Sequence, residues 1–348
     1  MRLHNKFGKE ELLRRLLQED FDRTTLSFYR YVRIDNVEIF RNHLYASLHE
    51  LNIYGRIYVA HEGINAQLSV PLPRFDEFKN LIQENLKLKD AELKFAVEDD
   101  GRSFYKLIVR IRKKIVADGL PDDAIDFSRT GTHLNAEEFN RAIKNPRTLI
   151  IDMRNSYESE VGRFENALCP DADTFREALP KALEMAEGKK DHKILLYCTG
   201  GIRCEKASAY FLHHGYKDVN QLYGGIIAYA HEVKSKNLPS KFSGKNFVFD
   251  NRLGERITNE ILSTCHQCGK PSDRHTNCMN QECHLLFIQC EECNRAMQGC
   301  CSHRCAAISK LPSADQQKIR KGKTKMQGKN IFSTRLRPRP DLISDDIR

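Results

Sequence analysis

The chain has 348 residues, a formal net charge of +9 and 12 cysteines, and this length allows two or three domains with separate cores. No apolar run approaches the roughly 20 residues that a membrane-spanning helix needs. The first residues mix charges of both signs, so we expect no secretory signal peptide. We therefore expect a cytoplasmic protein without membrane contact, whose cysteines are reduced thiols or metal ligands rather than disulfides.

The N-terminal third of the chain predicts a short helix followed by an α+β domain. Residues 1–24 have the apolar spacing of an amphipathic helix. Residues 25–118 follow the order strand, helix, strand, strand, helix, strand, strand, which is typical of a ferredoxin-like or acylphosphatase-like sandwich. The predicted strands are 26–34, 55–60, 64–70, 92–97 and 104–116, and the predicted helices are 37–51 and 75–86.

Polar side chains mark two places in this domain as candidate contacts. On the last predicted strand, basic residues alternate with apolar ones, and their face either contacts phosphates or is simply solvated. These basic residues are Lys106, Arg110, Arg112 and Lys114. Around the turn between the second and third strands, His61 and Asn65 are either ordinary turn residues or supporting residues that face a shared cleft.

A linker rich in Gly, Pro and Asp over 118–132 leads into a second domain at 119–250, with a core of about 130–240. Strands and helices alternate there, which predicts a parallel α/β sheet. The predicted strands are 149–154, 194–197 and 219–222, and the predicted helices are 135–144, 177–186, 204–212 and 225–234. Asp152 and Arg154, at the end of the first of these strands, are expected to form an ion pair that supports the neighbouring loop; a direct part in the chemistry is the alternative.

The stretch from Cys198 to Cys204 joins a buried strand to a helix and is the strongest candidate for a reactive site. Between them lie Thr199, Gly200, Gly201, Ile202 and Arg203. The backbone N–H groups of such a loop, the helix dipole and Arg203 all favour an anion at the Cys198 sulfur. We therefore predict a readily ionised, nucleophilic thiol; the alternative is a structural cysteine at a strand end. Cys204 either packs inward or resolves an oxidised Cys198.

Nine cysteines fall between positions 265 and 305. Their close pairs suit tetrahedral zinc, because each pair supplies half of a four-ligand site, and we predict two structural zinc ions. The predicted ligands are Cys265, Cys268, Cys278, Cys283, Cys290, Cys293, Cys301 and Cys305. An iron–sulfur cluster, redox-active thiols or metal-free thiols are the alternatives. The spacing leaves open which pairs combine, whether Cys300 or Cys301 binds, and whether a histidine (His266, His275, His284 or His303) replaces a ligand.

Residues 310–348 form a basic tail. Between Lys310 and Arg339, ten basic residues stand against one acid, Asp315, so the rest of the chain is balanced in charge. A segment this polar is expected to be disordered on its own, and its natural use is to neutralise phosphates. The candidate contacts are Lys321, Lys323 and Lys325; a merely solubilising tail is the alternative.

Three motifs together resemble one family. They are His61-Glu62-Gly63-Ile64-Asn65-Ala66, Cys198-Thr199-Gly200-Gly201-Ile202-Arg203-Cys204-Glu205-Lys206-Ala207 and Phe247-x-Phe249-Asp250-x-Arg252. Over about 25–305 the chain resembles the rhodanese-domain tRNA uridine hydroxylases. This resemblance implies an oxygen-dependent hydroxylation of uridine 34 to 5-hydroxyuridine in the tRNA anticodon stem-loop, for which Cys198 is required. Ala66 stands where the family often has glycine.

Two other functions are compatible with the sequence. A sulfurtransferase would pass sulfane sulfur through Cys198 and would not need the basic surfaces. A noncatalytic RNA-binding or zinc-binding scaffold would not need an intact Cys198 and Arg203. The sequence has no nucleotide-cofactor motif and no evident iron-binding facial triad, and we expect no DNA partner. A persulfide or sulfenate on Cys198 is our hypothesis for oxygen transfer.

Overall fold

The computed structural model describes residues 7–121 and 124–324, and its first element is the helix α1 (Lys9–Leu17). The apolar spacing predicted this helix within the first 24 residues. Leu16 is buried, whereas Leu17 is 62% exposed, so the helix contacts the rest of the molecule along a narrow stripe only.

Five strands and two longer helices form the first domain. They are β1 (Arg23–Tyr31), α2 (Val37–Glu50), β2 (Tyr54–Ala60), β3 (Gly63–Pro71), α3 (Phe75–Glu84), β4 (Lys94–Phe95) and β5 (Leu107–Ile111). The strand order is β4-β1-β3-β2-β5, with β5 parallel to β2 and the other pairs antiparallel. The predicted α+β sandwich is confirmed, although β4 and β5 are shorter than the sequence indicated.

The two faces of this sheet have different chemistry, because successive side chains of a strand point to opposite faces. Leu26, Ile57 and Leu68 belong to a core that α2 and α3 close. The opposite face, which we call the open face, carries Tyr29 and Asn65 and turns toward the second domain. Alternate side chains along each strand therefore pack in the core of the first domain, and those between them face the second domain.

In the sequence, basic residues alternate with apolar residues around position 110, and this alternation extends beyond the end of strand β5. β5 ends at Ile111, and the backbone N–H of Ile115 donates to Glu62 Oε1 at 2.7 Å rather than to a neighbouring strand. Lys114 consequently turns away, and its ammonium group lies 2.9 Å from Asp118 Oδ1. The prediction that Lys114 lies on the strand's basic face is wrong, because the sheet has ended before it.

The second domain alternates strands and helices. Its elements are β6 (Thr132–Leu134), α4 (Ala136–Ile143), β7 (Thr148–Asp152), α5 (Ser156–Ser159), β8 (Gly162–Phe164), α6 (Phe175–Met185), β9 (Lys193–Tyr197), α7 (Ile202–His213), β10 (Val219–Leu222) and α8 (Gly225–Ser235). Four of the strands form a sheet in the order β6-β10-β9-β7, and every neighbouring pair is parallel. The predicted parallel α/β sheet is confirmed; the short elements β6, α5 and β8 were not predicted.

The central strand β9 is buried from both sides, which explains its unbroken apolar run. Ile194 and Leu196 pack against α6 and α7, whereas Leu195 and Tyr197 pack against α4 and α8. The loop that follows β9 leaves the sheet at its carboxyl edge, where parallel α/β sheets bind ligands.

The C-terminal segment is built from short elements. These are β11 (Phe242–Asn246), β12 (Glu255–Arg256), β13 (His275–Asn277), β14 (Leu286–Ile288), α9 (Glu291–Met297), α10 (His303–Ser309) and α11 (Ser313–Thr324). β11 pairs with β8 and β12, and β13 pairs with β14. The basic tail thus begins with a helix, which was not predicted.

Within 7–121 and 124–324, no helix is both long and apolar enough to cross a membrane.

Candidate active site

Cys198 directly follows β9, and α7 begins four residues later at Ile202. The backbone N–H of Gly201 donates to the Cys198 Sγ at 3.1 Å, as an anion-binding loop requires. Gly201 has a φ of +94°, and a Cβ there would lie 3.0 Å from the Tyr29 hydroxyl oxygen. Glycine therefore serves both the left-handed turn and the close approach of the open face.

The environment of Cys198 favours its thiolate. Burial raises the pKa of this thiol, but the hydrogen bond from the Cys204 thiol, the charge of Arg203 and backbone N–H donors outweigh burial and lower the pKa to about 6. Burial and the neighbouring Cys198 thiolate raise the pKa of Cys204 well above its ordinary value. Cys204 is therefore a neutral donor beside an ionised nucleophile, and this position agrees with inward packing.

We predict that iodoacetamide alkylates Cys198 with a half-maximal rate near pH 6, because the thiolate is the nucleophile. Below that pH the sulfur is protonated and the rate falls. Peptide mass spectrometry after alkylation from about pH 5 to 9 measures the midpoint, and Cys204→Ala should raise it by removing a donor. A midpoint near the value of a free cysteine, about 8.5, would contradict this prediction.

Arg203 is held by a partner that the sequence argument missed. Its guanidinium forms a bidentate ion pair with Glu158, at 2.6 Å from Oε1 and 2.9 Å from Oε2. The Glu158 side chain is fully buried, and burial, which raises its pKa, is outweighed by Arg203, so the pKa is lowered. The same carboxylate accepts the Asn155 N–H in a capping box at the start of α5. Glu158 thus fixes the cation near Cys198.

Asp152 and Arg154 form the expected ion pair, with an N–O distance of 2.6 Å and both side chains fully buried. Arg154 also donates to the carbonyl oxygen of Gly162 at 2.6 Å, which connects β7 to β8. Neither residue lines the cavity described below, so their contacts support the sheet edge that carries the loop.

Helix α7 also holds the first domain in place. The Lys206 ammonium group is 1% exposed and lies 2.8 Å from Glu62 Oε2 and 2.6 Å from Asp118 Oδ2. The Tyr29 hydroxyl donates to Glu205 Oε1 at 2.9 Å. These contacts fasten the open face against the start of α7, so the distance between that face and Cys198 is set by ion pairs and hydrogen bonds.

A cavity of about 370 Å³ lies between the Cys198 loop and the open face, within the range of about 300–1,000 Å³ typical of small-molecule sites. Its lining includes Ser27, Tyr29, Arg56, Tyr58, Asn65, Gln67, Lys94, Cys198, Thr199, Gly200, Ile202, Arg203, Phe249, Asp250 and Arg252. Asn65 therefore reaches the cleft with the candidate nucleophile. His61 does not line it, and its Nδ1 lies 2.9 Å from the carbonyl oxygen of Ile34.

Three family models match the chain in succession. The UPF0176 acylphosphatase like domain matches residues 23–115, the Rhodanese-like domain matches 135–232, and the Rhodanase C-terminal model matches 243–306. Among solved structures, the Alr3790 protein from Anabaena sp. matches 32% of this chain and 91% of its own at 19% identity, with a TM-score of 0.27. That score is too low to support a conclusion.

Similarity to curated proteins extends over nearly the whole chain. The tRNA uridine(34) hydroxylase of Leptospira interrogans is 56% identical over 340 residues, which cover 98% of this chain and 92% of that protein. The chain belongs to the tRNA uridine(34) hydroxylase family. Proteins of the same name from Yersinia enterocolitica and Yersinia pestis are 52% identical over 332 residues, covering 95% of this chain and 94% and 93% of theirs.

In this member of the hydroxylase family, two of the predicted basic residues lie beside the cavity. Arg110 is the register partner of Tyr58, and the Arg112 guanidinium carbon lies 5.2 Å from the centre of the Tyr58 ring. Both arginines are exposed, whereas Lys106 is half-buried. Of the tail residues, Lys321 and Lys323 belong to α11, and Lys325 lies outside the described residues.

The paired cysteines gather into two groups of four whose sulfur atoms lie within 4.8 Å of one another. One group is Cys265, Cys268, Cys290 and Cys293; the other is Cys278, Cys283, Cys301 and Cys305. Each group could hold a metal ion, and the pairs combine in a crossed order. The spacing left the choice between Cys300 and Cys301 open, and Cys301 is the one that belongs to a group. Cys300 lies outside both groups, with its Sγ 3.6 Å from Ser309 Oγ. None of the four candidate histidines belongs to either group.

Long-range partners were the residues that the sequence argument did not find. Glu158 is 45 positions from Arg203, and Lys206 is 144 positions from Glu62. The capping box was a signal for Glu158 at the sequence level, but it indicated a helix start and no ion pair. The polar residues Asn65 and Gln67, which alternate with the apolar residues of β3, were the available signal for the cavity wall.

Proposed function

We propose that this chain hydroxylates uridine 34 of tRNA to 5-hydroxyuridine, with molecular oxygen as co-substrate. The observation that carries the proposal is the position of Cys198 at one side of a cavity whose other side is a polar sheet face; the pKa of this thiol, lowered to about 6, favours the reactive thiolate there. The names of relatives that match nearly the whole chain support the same reaction. A small-molecule sulfurtransferase would need the loop but not the open face.

The residues of the Cys198 loop have different roles in the proposed reaction. Cys198 is the reactive group, and the Gly201 N–H together with Arg203 stabilises its negative charge. Hydroxylation by molecular oxygen places one oxygen atom on uridine and reduces the other to water, so the reaction also consumes two electrons from an external reductant. With that reductant, we propose that a persulfide or sulfenate on Cys198 mediates the oxygen transfer and returns to the starting thiolate or persulfide. The domain at 25–118 presents the substrate, the domain at 119–250 supplies the nucleophile, and the segment at 251–309 binds metal.

The part of the tRNA that we propose to bind at the cavity is the anticodon stem-loop. Bases of a single-stranded loop can be turned out and enter a cavity without unwinding a duplex. Phosphates flanking uridine 34 would contact Arg110 and Arg112 beside Tyr58. We propose Lys106, Lys321, Lys323 and Lys325 as further phosphate contacts. We propose no DNA or membrane partner, and we propose a cytoplasmic location because the proposed substrate is tRNA.

Nucleoside mass spectrometry of tRNA tests this function. Cells lacking the gene should lose 5-hydroxyuridine and its derivatives, and expression of the wild-type chain should restore them. An unchanged nucleoside profile would contradict the proposal. Turnover of thiosulfate by the purified chain would then identify it as a sulfurtransferase.

We propose zinc as the metal of the two cysteine groups. A tetrahedral site with zinc–sulfur bonds of about 2.3 Å separates its sulfurs by about 3.8 Å, and the Cys268–Cys290, Cys283–Cys301 and Cys301–Cys305 sulfurs lie 3.6 Å apart. Each group has four thiols, which is the number of ligands that a tetrahedral structural zinc site requires. Bound zinc would supply folding free energy to this segment.

The adjacent Cys300 and Cys301 allow a matched test of the zinc sites. We predict two zinc ions per wild-type chain by inductively coupled plasma mass spectrometry. Cys301→Ala should lose about one ion, because three thiolates remain in its group, whereas Cys300→Ala should keep both. Loss of zinc from Cys300→Ala alone would contradict the ligand assignment.

A further inference from the structure

The polar side chains around the cavity fall into two sets. Arg203 pairs with Glu158, Tyr29 bonds to Glu205, Lys94 pairs with Glu92, and Arg252 pairs with Asp250. A second set forms no hydrogen bond or ion pair with any other residue that the structure describes: Ser27, Arg56, Tyr58, Asn65 and Gln67. All five of these lie on three adjacent strands of the open face.

Strand register brings the second set together. Gln67 on β3 is opposite Ser27 on β1 and Arg56 on β2, and Asn65 is opposite Tyr29 and Tyr58. Directly opposed residues have Cβ atoms about 4.5–5.5 Å apart. The two amides therefore stand at the centre of one patch, with a tyrosine and an arginine beside them.

This patch faces the reactive loop. Tyr29, the cross-strand neighbour of Asn65, has its hydroxyl 3.0 Å from the position of a Cβ on Gly201. Gly201 in turn donates to the Cys198 sulfur. A flat group between Cys198 and the open face would thus meet the two amides across the cavity.

The chemistry of the patch suits the edge of a pyrimidine ring. Each amide offers both a donor and an acceptor, and Asn65 and Gln67 are half-buried, so their groups are partly removed from water without a partner in the described chain. The uracil edge has one N–H donor between two carbonyl acceptors. Proteins bind single-stranded bases through such hydrogen bonds combined with stacking on aromatic side chains, and Tyr58 is adjacent.

We propose that Asn65 and Gln67 are specificity-determining residues that hydrogen-bond the Watson–Crick edge of the target uracil. This inference rests on the proposed function, since it takes uridine as the occupant of the cavity. Packing of α2 and α3 on the other face of the sheet does not involve either side chain, because the core residues of β3 point the opposite way. The amides can therefore be replaced with little effect on that core.

The test compares two anticodon-arm RNAs that differ only at position 34. One has uridine, and the other has pyrimidin-2-one ribonucleoside, which lacks the O4 acceptor and the N3–H donor but adds no bulk. Equilibrium binding is measured by fluorescence anisotropy. The wild-type chain should bind the uridine RNA about 10- to 100-fold more tightly, the range expected for a good bidentate contact.

The double variant Asn65→Leu/Gln67→Leu should bind both RNAs with about the same affinity, because its affinity for the uridine RNA falls more than its affinity for the pyrimidinone RNA, which can lose only a contact with O2. Retained binding of the pyrimidinone RNA shows that the cavity and the phosphate contacts are intact. Asn80→Leu/Gln83→Leu, which replaces two exposed amides on α3, is the matched control and should keep the wild-type preference.

Three results would overturn the inference: a uridine preference that survives in the double variant, equal affinities in the wild type, or an equal loss for both RNAs. Each of these leaves the hydroxylase proposal standing if 5-hydroxyuridine is formed. Failure of the wild-type chain to bind either RNA would contradict the proposed function itself, and this inference with it.

Discussion

Cys198→Ser is expected to lower the rate of 5-hydroxyuridine formation at position 34 by at least about 10³-fold. The loop stabilises an anionic sulfur, and a serine hydroxyl does not ionise near neutral pH, so the variant would hold no nucleophile. The rate is measured as the appearance of 5-hydroxyuridine in tRNA after the variant is induced in cells lacking the gene.

Cys169→Ser is the matched control for this substitution. Cys169 belongs to the same domain and does not line the cavity, and burial raises the pKa of its thiol to about 11. Hydroxylation should remain close to the wild-type rate. Full activity in Cys198→Ser would contradict a role for the loop cysteine in the reaction.

Glu158→Gln is expected to lower the free energy of unfolding by about 3–5 kcal/mol, because it removes one partner of a buried ion pair and leaves the other charge in place. The Arg203 side chain is only 9% exposed, so water cannot replace the lost carboxylate. The change is measured from urea denaturation curves of the full chain.

Glu137→Gln provides the comparison at the surface. Glu137 pairs with Arg141 at 3.2 Å, and both side chains are more than half exposed. Such pairs contribute about 0–1 kcal/mol, so this variant should unfold almost like the wild type. Equal destabilisation by the two substitutions would show that the Glu158–Arg203 pair has no special stabilising role.

The sequence predicted correctly those features that depend on residues close together in the chain. The apolar run at 194–197, the glycine pair and Arg203 correctly placed a strand, a tight loop and a helix in succession. The alternation of predicted strands and helices along the chain also predicted the parallel sheet correctly. Cysteine spacing predicted the number of four-thiol groups.

The features that the sequence did not predict depend on contacts between segments that are far apart in the chain. The crossed combination of cysteine pairs depends on how β13, β14 and α9 are arranged in space. The spacing of the cysteines in the sequence does not reveal this arrangement. Lys114 leaves the basic face because the hydrogen-bonded ladder ends at Ile111, although the alternation of side chains continues. The cavity exists because Lys206 and Tyr29 hold two domains together, and its wall comes from strands more than a hundred residues before Cys198.

Growth under ¹⁸O₂ of cells in which this chain is the only source of uridine-34 hydroxylation tests the proposed reaction most directly. The 5-hydroxyuridine isolated from their tRNA should carry one ¹⁸O atom when the wild-type chain is expressed and should be absent with Cys198→Ser. Absence of 5-hydroxyuridine with the wild-type chain, or an unlabelled product, would contradict hydroxylation of tRNA by molecular oxygen at this site.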